Sequence, residues 1–246
     1  MSRMTTGVIL AAGFGTRLRG VSSETELKPL TLVGGMPLLQ RSVRSLERAG
    51  CGRVVVVVGH GKDAVVESLV GYPGAAEIVF AENPRFDLKN GISVLAARTH
   101  LLGDTFILSM ADHVLGDEVM DLAGAHVPPE QGATLLVDWK LETIFDMDDA
   151  TKVLAVRDPS GDRIAKIGKM IPEYNCVDVG VFVCTTALMD RIAEVYEKTG
   201  DASLSDGVQA LANTGRMTVL DIGDGFWQDV DTPEMLAHAE KELARR

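Results

Sequence analysis

The residues best suited to chemistry stand near the front of the chain. In Val8-Ile9-Leu10-Ala11-Ala12-Gly13-Phe14-Gly15-Thr16-Arg17-Leu18 a short apolar run breaks into glycines, and Lys28-Pro29 follows soon after. Such a run reads as a buried strand that delivers a loop to the edge of a sheet. Gly13 and Gly15 let the backbone approach a ligand, and successive N–H groups in a turn of this kind form an anion-binding concavity. Thr16 adds a hydroxyl, Arg17 a planar fork matched to phosphate oxygens, and Lys28 a compact charge. The predicted chemistry is the cradling of a polyanion. The loop fits neither G-x-x-x-x-G-K-[ST] nor G-x-G-x-x-G, because Leu18 stands where the last glycine of the second pattern would fall.

Further groups lie along the chain. Asp112 directly follows the apolar segment 106–110, and a hard divalent cation is typically bound by one or two carboxylates plus substrate phosphates. Asp229, in Trp227-Gln228-Asp229-Val230-Asp231-Thr232-Pro233, either serves the turn before the last helix or belongs to a site. Asn90, Gly91 and Ser93 open a helix, where Asn and Ser are by default caps. Glu82, nearby, either accepts from an exocyclic amine or is simply solvated. Lys152 and Lys169 are cations in apolar strand contexts rather than in a charge run. Asp178 precedes Gly180 on a strand, where the glycine leaves space for a ligand and the carboxylate can accept from a polyol's hydroxyls.

The elements that must carry these residues alternate. Strands are expected at 54–58, 78–80 and 106–108, and helices at 37–49, 62–70, 92–101 and 118–126, from their apolar spacing. That alternation implies a mostly parallel sheet with helices on both faces and ligands at the carboxyl ends of the strands. From residue 133 the texture becomes strand-rich, at 133–138, 151–157, 163–167 and 177–185, with a hairpin turn at 158–162. Two helices, a strand at 217–222 and a terminal helix from Pro233, capped by Thr232, complete the chain. One domain over 1–246 is expected, in two halves, 1–130 and a β-rich 131–246.

Composition narrows the partners. With 46% hydrophobic and 24% charged residues the chain is ordinary globular material, and its net charge of −11 argues against nucleic acid or an anionic membrane. Cys51, Cys176 and Cys184 lack C-x-x-C spacing, as expected of buried thiols in a reducing compartment. No apolar run reaches membrane length and no secretory pattern opens the sequence, so a cytoplasmic protein without membrane insertion is expected.

The order L-A-A-G-x-G-T-R, here Leu10, Ala11, Ala12, Gly13, Gly15, Thr16 and Arg17, followed by Lys28-Pro29, resembles the signature of the sugar-phosphate nucleotidyltransferases. Many members place Pro directly before the lysine; this chain has Leu27 there. The resemblance implies a Rossmann-like, GT-A-like α/β fold with a β-rich substrate-binding insertion. It implies that the loop wraps a nucleoside triphosphate and that Arg17 and Lys28 stabilise the departing pyrophosphate. It implies Mg²⁺ held by Asp112 and Asp229, nucleobase contacts from Asn90, Gly91 and Ser93, and a sugar or polyol phosphate held by Lys152, Lys169, Asp178 and Gly180. The second-half segments are most similar to members that transfer CMP from CTP to inositol 1-phosphate. The alternatives are other acceptors, a hexose 1-phosphate with UTP or dTTP or phosphocholine with CTP, and a non-catalytic nucleotide-sugar sensor. A homodimer is left open, and any membrane transferase that uses the product is expected to be a separate protein.

Overall fold

The computed structural model describes residues 5–14, 27–157 and 161–245. Gly15, Thr16 and Arg17, and most of the expected 158–162 turn, lie outside the described residues. The first half of the chain carries β1 (Thr5–Ala11), β2 (Leu32–Val33), β3 (Met36–Pro37), α1 (Leu38–Arg48), β4 (Cys51–Val58), α2 (Lys62–Glu67), β5 (Glu77–Glu82), α3 (Gly91–Ala96), β6 (Thr105–Met110), β7 (His113–Leu115) and α4 (Asp117–Ala125). The second half adds β8 (Ala133–Asp138), β9 (Lys152–Val156), β10 (Arg163–Gly168), β11 (Cys176–Thr185), α5 (Ala187–Thr199), α6 (Leu204–Ala212), β12 (Met217–Asp221), β13 (Trp227–Asp229) and α7 (Pro233–Leu243).

The described residues form one nine-stranded sheet in the order β5-β4-β1-β6-β11-β8-β12-β10-β9. The first four strands run parallel, as near-continuous apolar runs with crossover helices dictate. Val8, Leu10, Val55 and Val57 enter one core layer, while Ile9, Val54, Val56 and Val58 enter the other. Alternate residues of each strand thus feed opposite faces. Beyond β6 the pairing turns largely antiparallel, with β8–β12 parallel. The strand-rich half therefore continues the same sheet. A register break in β11 between Asp178 and Phe182 lets its first residues pair with β9, so that β9, β11, β8, β12 and β10 close into a ring.

The helix after Asn90 is shorter than its apolar spacing suggests, ending at Ala96 before a 3₁₀ turn at Arg98–His100. At the other end of the chain Thr232 accepts from the Met235 N–H and Pro233 opens α7, as expected.

Candidate active site

Two short strands assemble the site. After β6 the chain turns through Ala111-Asp112 into β7, which pairs antiparallel with β13 so that His113 faces Asp229. The Val230 N–H donates to the Asp112 carbonyl at 2.9 Å, and Val114 and Val230 are buried with Val33, Leu38 and Ala239 in a small separate core. This apolar anchoring zips together segments more than a hundred residues apart and sets Asp112, Asp229 and Asp231 on one cavity wall. The cavity, about 510 Å³, is lined also by Asp149, Lys169 and Asp178.

Lys28 begins a 3₁₀ turn (Lys28–Leu30) and is buried. Its ammonium lies 2.5 Å from Asp112 Oδ2 and also donates to Asp231 Oδ1. Burial alone would lower the lysine pKa; the Asp112 and Asp231 carboxylates outweigh it and raise it. Burial works in the same way against the Asp112 carboxylate, yet Lys28 and His113 hold its pKa far below the ordinary range. Asp112 is therefore an anion whose charge is already shared.

His113 Nδ1 lies 2.6 Å from Asp112 Oδ1. Its ring stacks on Trp227 with centroids 6.1 Å apart, and the Trp227 indole N–H donates to Asp138 at 3.0 Å. Gly180 packs against the same ring: φ is +76°, and a Cβ there would sit 2.6 Å from His113 Nε2. Only glycine meets both conditions without strain. Burial opposes protonation of His113, but Asp112 and then Asp229 raise its pKa.

Asp229 is pushed up by burial; His113 relieves this in part, and Asp231 and Asp112 add to it. Ligand oxygens of Asp149, Asp229 and Asp231 all lie within 4.8 Å of one another. Such an all-oxygen set fits a hard divalent cation. Among the described residues these three form a group, whereas Asp112, expected beside Asp229, is engaged by Lys28 and His113. Asp178 also lines the cavity and accepts from the Gly180 N–H at 2.7 Å, and burial pushes its carboxyl up to about 6.

Several other expected residues are placed differently. Lys152 does not line the cavity: its ammonium donates to the carbonyls of Met147 (2.8 Å) and Lys169 (3.2 Å), with Ala150 and Asp148 more distant. The reading of Lys152 as an acceptor ligand is therefore replaced by one in which it holds the backbone around the cavity. Lys28 likewise faces carboxylates rather than the open cavity. Glu82 pairs with Lys62 at 2.9 Å and lies in a separate shallow depression with Gly59, Gly61 and Phe86. Ser93 accepts from the Asn83 side-chain amide at 3.0 Å in a buried contact, and a Cβ on Gly91 would lie 2.5 Å from the Ala202 carbonyl. Asn90 reaches the cavity, although its side-chain oxygen accepts from the Leu204 N–H. Asn90 and Gly91 thus join the start of α3 to the α5–α6 connection, while Ser93 ties α3 back to the segment after β5. Leu10, Ala11 and Ala12 are buried in the core layers, which leaves their backbone as the part that could meet a ligand, whereas Gly13 has open space where a Cβ would be. Lys169 lines the cavity and pairs with Asp149 at 2.5 Å.

Neither Asp149 nor Asp231 is among the residues expected at the site from sequence. The acid-rich stretch Asp146-Met147-Asp148-Asp149 was the available signal.

Residues 7–204 match the MobA-like NTP transferase domain. The chain belongs to this family. An NTP transferase domain also accounts for the fold, since the chain superimposes on the inositol-1-phosphate CTP transferase from T. maritima with a TM-score of 0.82 and 29% identity, covering 97% of both chains. The chain is similar to the bifunctional IPC transferase and DIPP synthase of Rubrobacter xylanophilus, at 35% identity over 95% of this chain and 50% of that protein. The protein of the same name from Aquifex aeolicus is 30% identical over 98% of this chain and 52% of its own length. The chain thus spans about half the length of these curated relatives. Among the described residues no helix is long and apolar enough to cross a membrane.

Proposed function

We propose that this NTP transferase domain transfers CMP from CTP to inositol 1-phosphate, giving CDP-inositol and pyrophosphate. The observation that carries the reading is the correspondence, over nearly the whole of both chains, with the inositol-1-phosphate CTP transferase from T. maritima.

The acceptor needs little activation, because a phosphate monoester with a second pKa of about 6 is largely dianionic at neutral pH. No general base is required, and His113 accordingly orients Asp112 instead. The difficulty is the approach of two polyanions, which in-line positioning and fixed charge overcome. In the proposal the loop with Gly13, Gly15, Thr16 and Arg17 cradles the triphosphate, Lys169 receives the acceptor phosphate, and Asp178 accepts from its hydroxyls. Gly180 keeps His113 and the Asp178 carboxylate side by side, while Lys28 orders Asp112 and Asp231. A magnesium ion held by Asp149, Asp229 and Asp231, beside Asp112, would supply charge neutralisation between the phosphates. The same proposal sets the reaction in the cytoplasm and hands CDP-inositol to a membrane transferase.

The test is pyrophosphate release with CTP and Mg²⁺ across a panel of acceptors: inositol 1-phosphate, glucose 1-phosphate, phosphocholine and 2-aminoethylphosphonate. Release selective for inositol 1-phosphate is expected. Preference for phosphocholine or the aminophosphonate would overturn the acceptor, and no release with any of them would overturn the enzymatic reading.

A further inference from the structure

Phe145 is a large apolar side chain left 47% exposed on the wall of a cavity that also carries Lys140, Asp146, Asp149 and Lys169. Its ring stacks on that of His238, with centroids 4.6 Å apart and planes inclined by 22°, and both residues line the cavity. They come from distant segments, the loop after β8 and the helix α7. The stack covers one face of Phe145, and the exposure that remains belongs to the cavity wall.

Both rings are held in place by their own segments. Before Phe145 a turn is closed by the Thr143 hydroxyl, which donates to the Lys140 carbonyl at 2.9 Å, and by the Ile144 N–H, which donates to the Leu141 carbonyl at 3.4 Å. After it a second turn is closed by the Ala150 N–H, which donates to the Asp146 carbonyl at 3.2 Å. The Lys152 ammonium then ties the Met147 carbonyl (2.8 Å) to the Lys169 carbonyl (3.2 Å), so the loop bearing Phe145 is fastened beside Lys169. His238 is set by α7, which buries Met235 and Ala239 and is capped by Thr232. A plate fixed in this way loses little further freedom when a ligand meets it.

A cyclic polyol carries its hydroxyls around the rim and C–H bonds on its faces. Carboxylates serve the rim, whereas a face calls for an apolar surface, and an aromatic face is electron-rich and accepts weakly positive hydrogens. We infer that Phe145, braced by His238, is the plate on which the carbon ring of the acceptor lies, with Lys169 on its phosphate and Asp178 on its hydroxyls. This inference rests on the acceptor reading proposed above. It adds a residue that recognises the ring itself, which neither the lysine nor the carboxylate does.

The experiment is isothermal titration calorimetry of inositol 1-phosphate into the whole chain with Mg²⁺ and α,β-methylene-CTP, a nucleotide that cannot turn over. Phe145→Ala should weaken binding about fivefold, within the range of an aromatic contact. Phe145→Tyr, which keeps the plate, should bind as the unsubstituted chain does, and Phe145→Leu, apolar but not flat, should remain weak. His238→Ala should weaken binding by less than Phe145→Ala, because the plate is kept but no longer braced. Inorganic phosphate, followed as a competitor of inositol 1-phosphate, has no ring and should bind Phe145→Ala and the unsubstituted chain alike. Equal binding of inositol 1-phosphate by Phe145→Ala and the unsubstituted chain overturns the inference. So does full recovery in Phe145→Leu, or an equal loss of inorganic phosphate, which would make Phe145 a support for Lys169 and nothing more. Failure of the unsubstituted chain to bind inositol 1-phosphate at all would instead overturn the acceptor reading, and the plate with it.

Discussion

Asp178 stands at the junction of stability and recognition, and replacing it with Asn separates the two. Its carboxyl is pushed up from 3.8 to about 6 by burial, against a partial opposing effect of the Gly180 N–H. A rise of about two pH units at about 1.36 kcal/mol each is about 3 kcal/mol. Because the side chain still meets the water of the cavity, about 2 kcal/mol is the better figure. The sign follows from the direction. An acid whose folded pKa is raised costs nothing below its unfolded pKa and costs the full amount above about 6, so this group destabilises the fold at neutral pH. Asn keeps an oxygen for the Gly180 N–H and removes the charge. Asp178→Asn should therefore be more stable by about 2 kcal/mol at about pH 7.5, raising Tm by about 4 to 8 °C for a chain of this size. The advantage should shrink as pH falls from about 6 toward 4. The same substitution removes an anionic acceptor from the polyol hydroxyls, a loss of at least about 1.5 kcal/mol, so the KM for inositol 1-phosphate should rise about tenfold or more. Melting curves across pH and initial rates against acceptor concentration provide the two readouts. A variant no more stable at about pH 7.5 than the unsubstituted chain would refute the burial argument. An unchanged KM would remove Asp178 from the acceptor site.

Three other substitutions or treatments check separate parts of the structure. Lys28→Met leaves Asp112 and Asp231 without their shared buried cation and should cost about 3 to 5 kcal/mol in denaturant unfolding, with loss of turnover. Gly180→Ala forces a left-handed residue with a Cβ, at about 1 to 2 kcal/mol for the backbone alone, and pushes His113 off Trp227; it should lower kcat, with Trp227 fluorescence reporting the displacement. Cys51 and Cys176 are buried and their thiols pushed up to about 12, and Cys184 is raised further, so Ellman's reagent should label none of the three in the folded protein at about pH 8 and all three in guanidinium.

How far the sequence reaches is seen best in particular segments. Residues 54–58, all valine, have only one favourable environment, a parallel strand covered on both faces, and local composition suffices to read them. The pairing of β7 with β13 was beyond such reading. Each strand is three residues long, too short for a period, and their association depends on Val114 and Val230 meeting a core built from distant parts of the chain. Lys152 and Lys169 look alike in sequence, yet one turns to the carbonyls of its own loop and the other to the cavity. The difference arises from the 146–150 turn, whose shape no local pattern encodes. Gly91 illustrates the reverse case: a residue expected at a ligand is required because the Ala202 carbonyl packs against it from more than a hundred residues away. Asp149 was missed because an acid in an acid-rich loop is by default solvated; what distinguishes it is the spatial approach of Asp229, Asp231 and Lys169.

The proposed reaction joins a cytidine nucleotide to a polyol phosphate in the cavity between β6, β11 and β13. Phosphorus-31 NMR of the reaction of CTP with inositol 1-phosphate and Mg²⁺ tests it most directly. Both the monoester and the γ-phosphate resonances should be lost, with growth of pyrophosphate and of a two-phosphorus diester that mass spectrometry assigns as CDP-inositol. A monoester resonance that stays unchanged while the enzyme is folded and CTP is intact would contradict it.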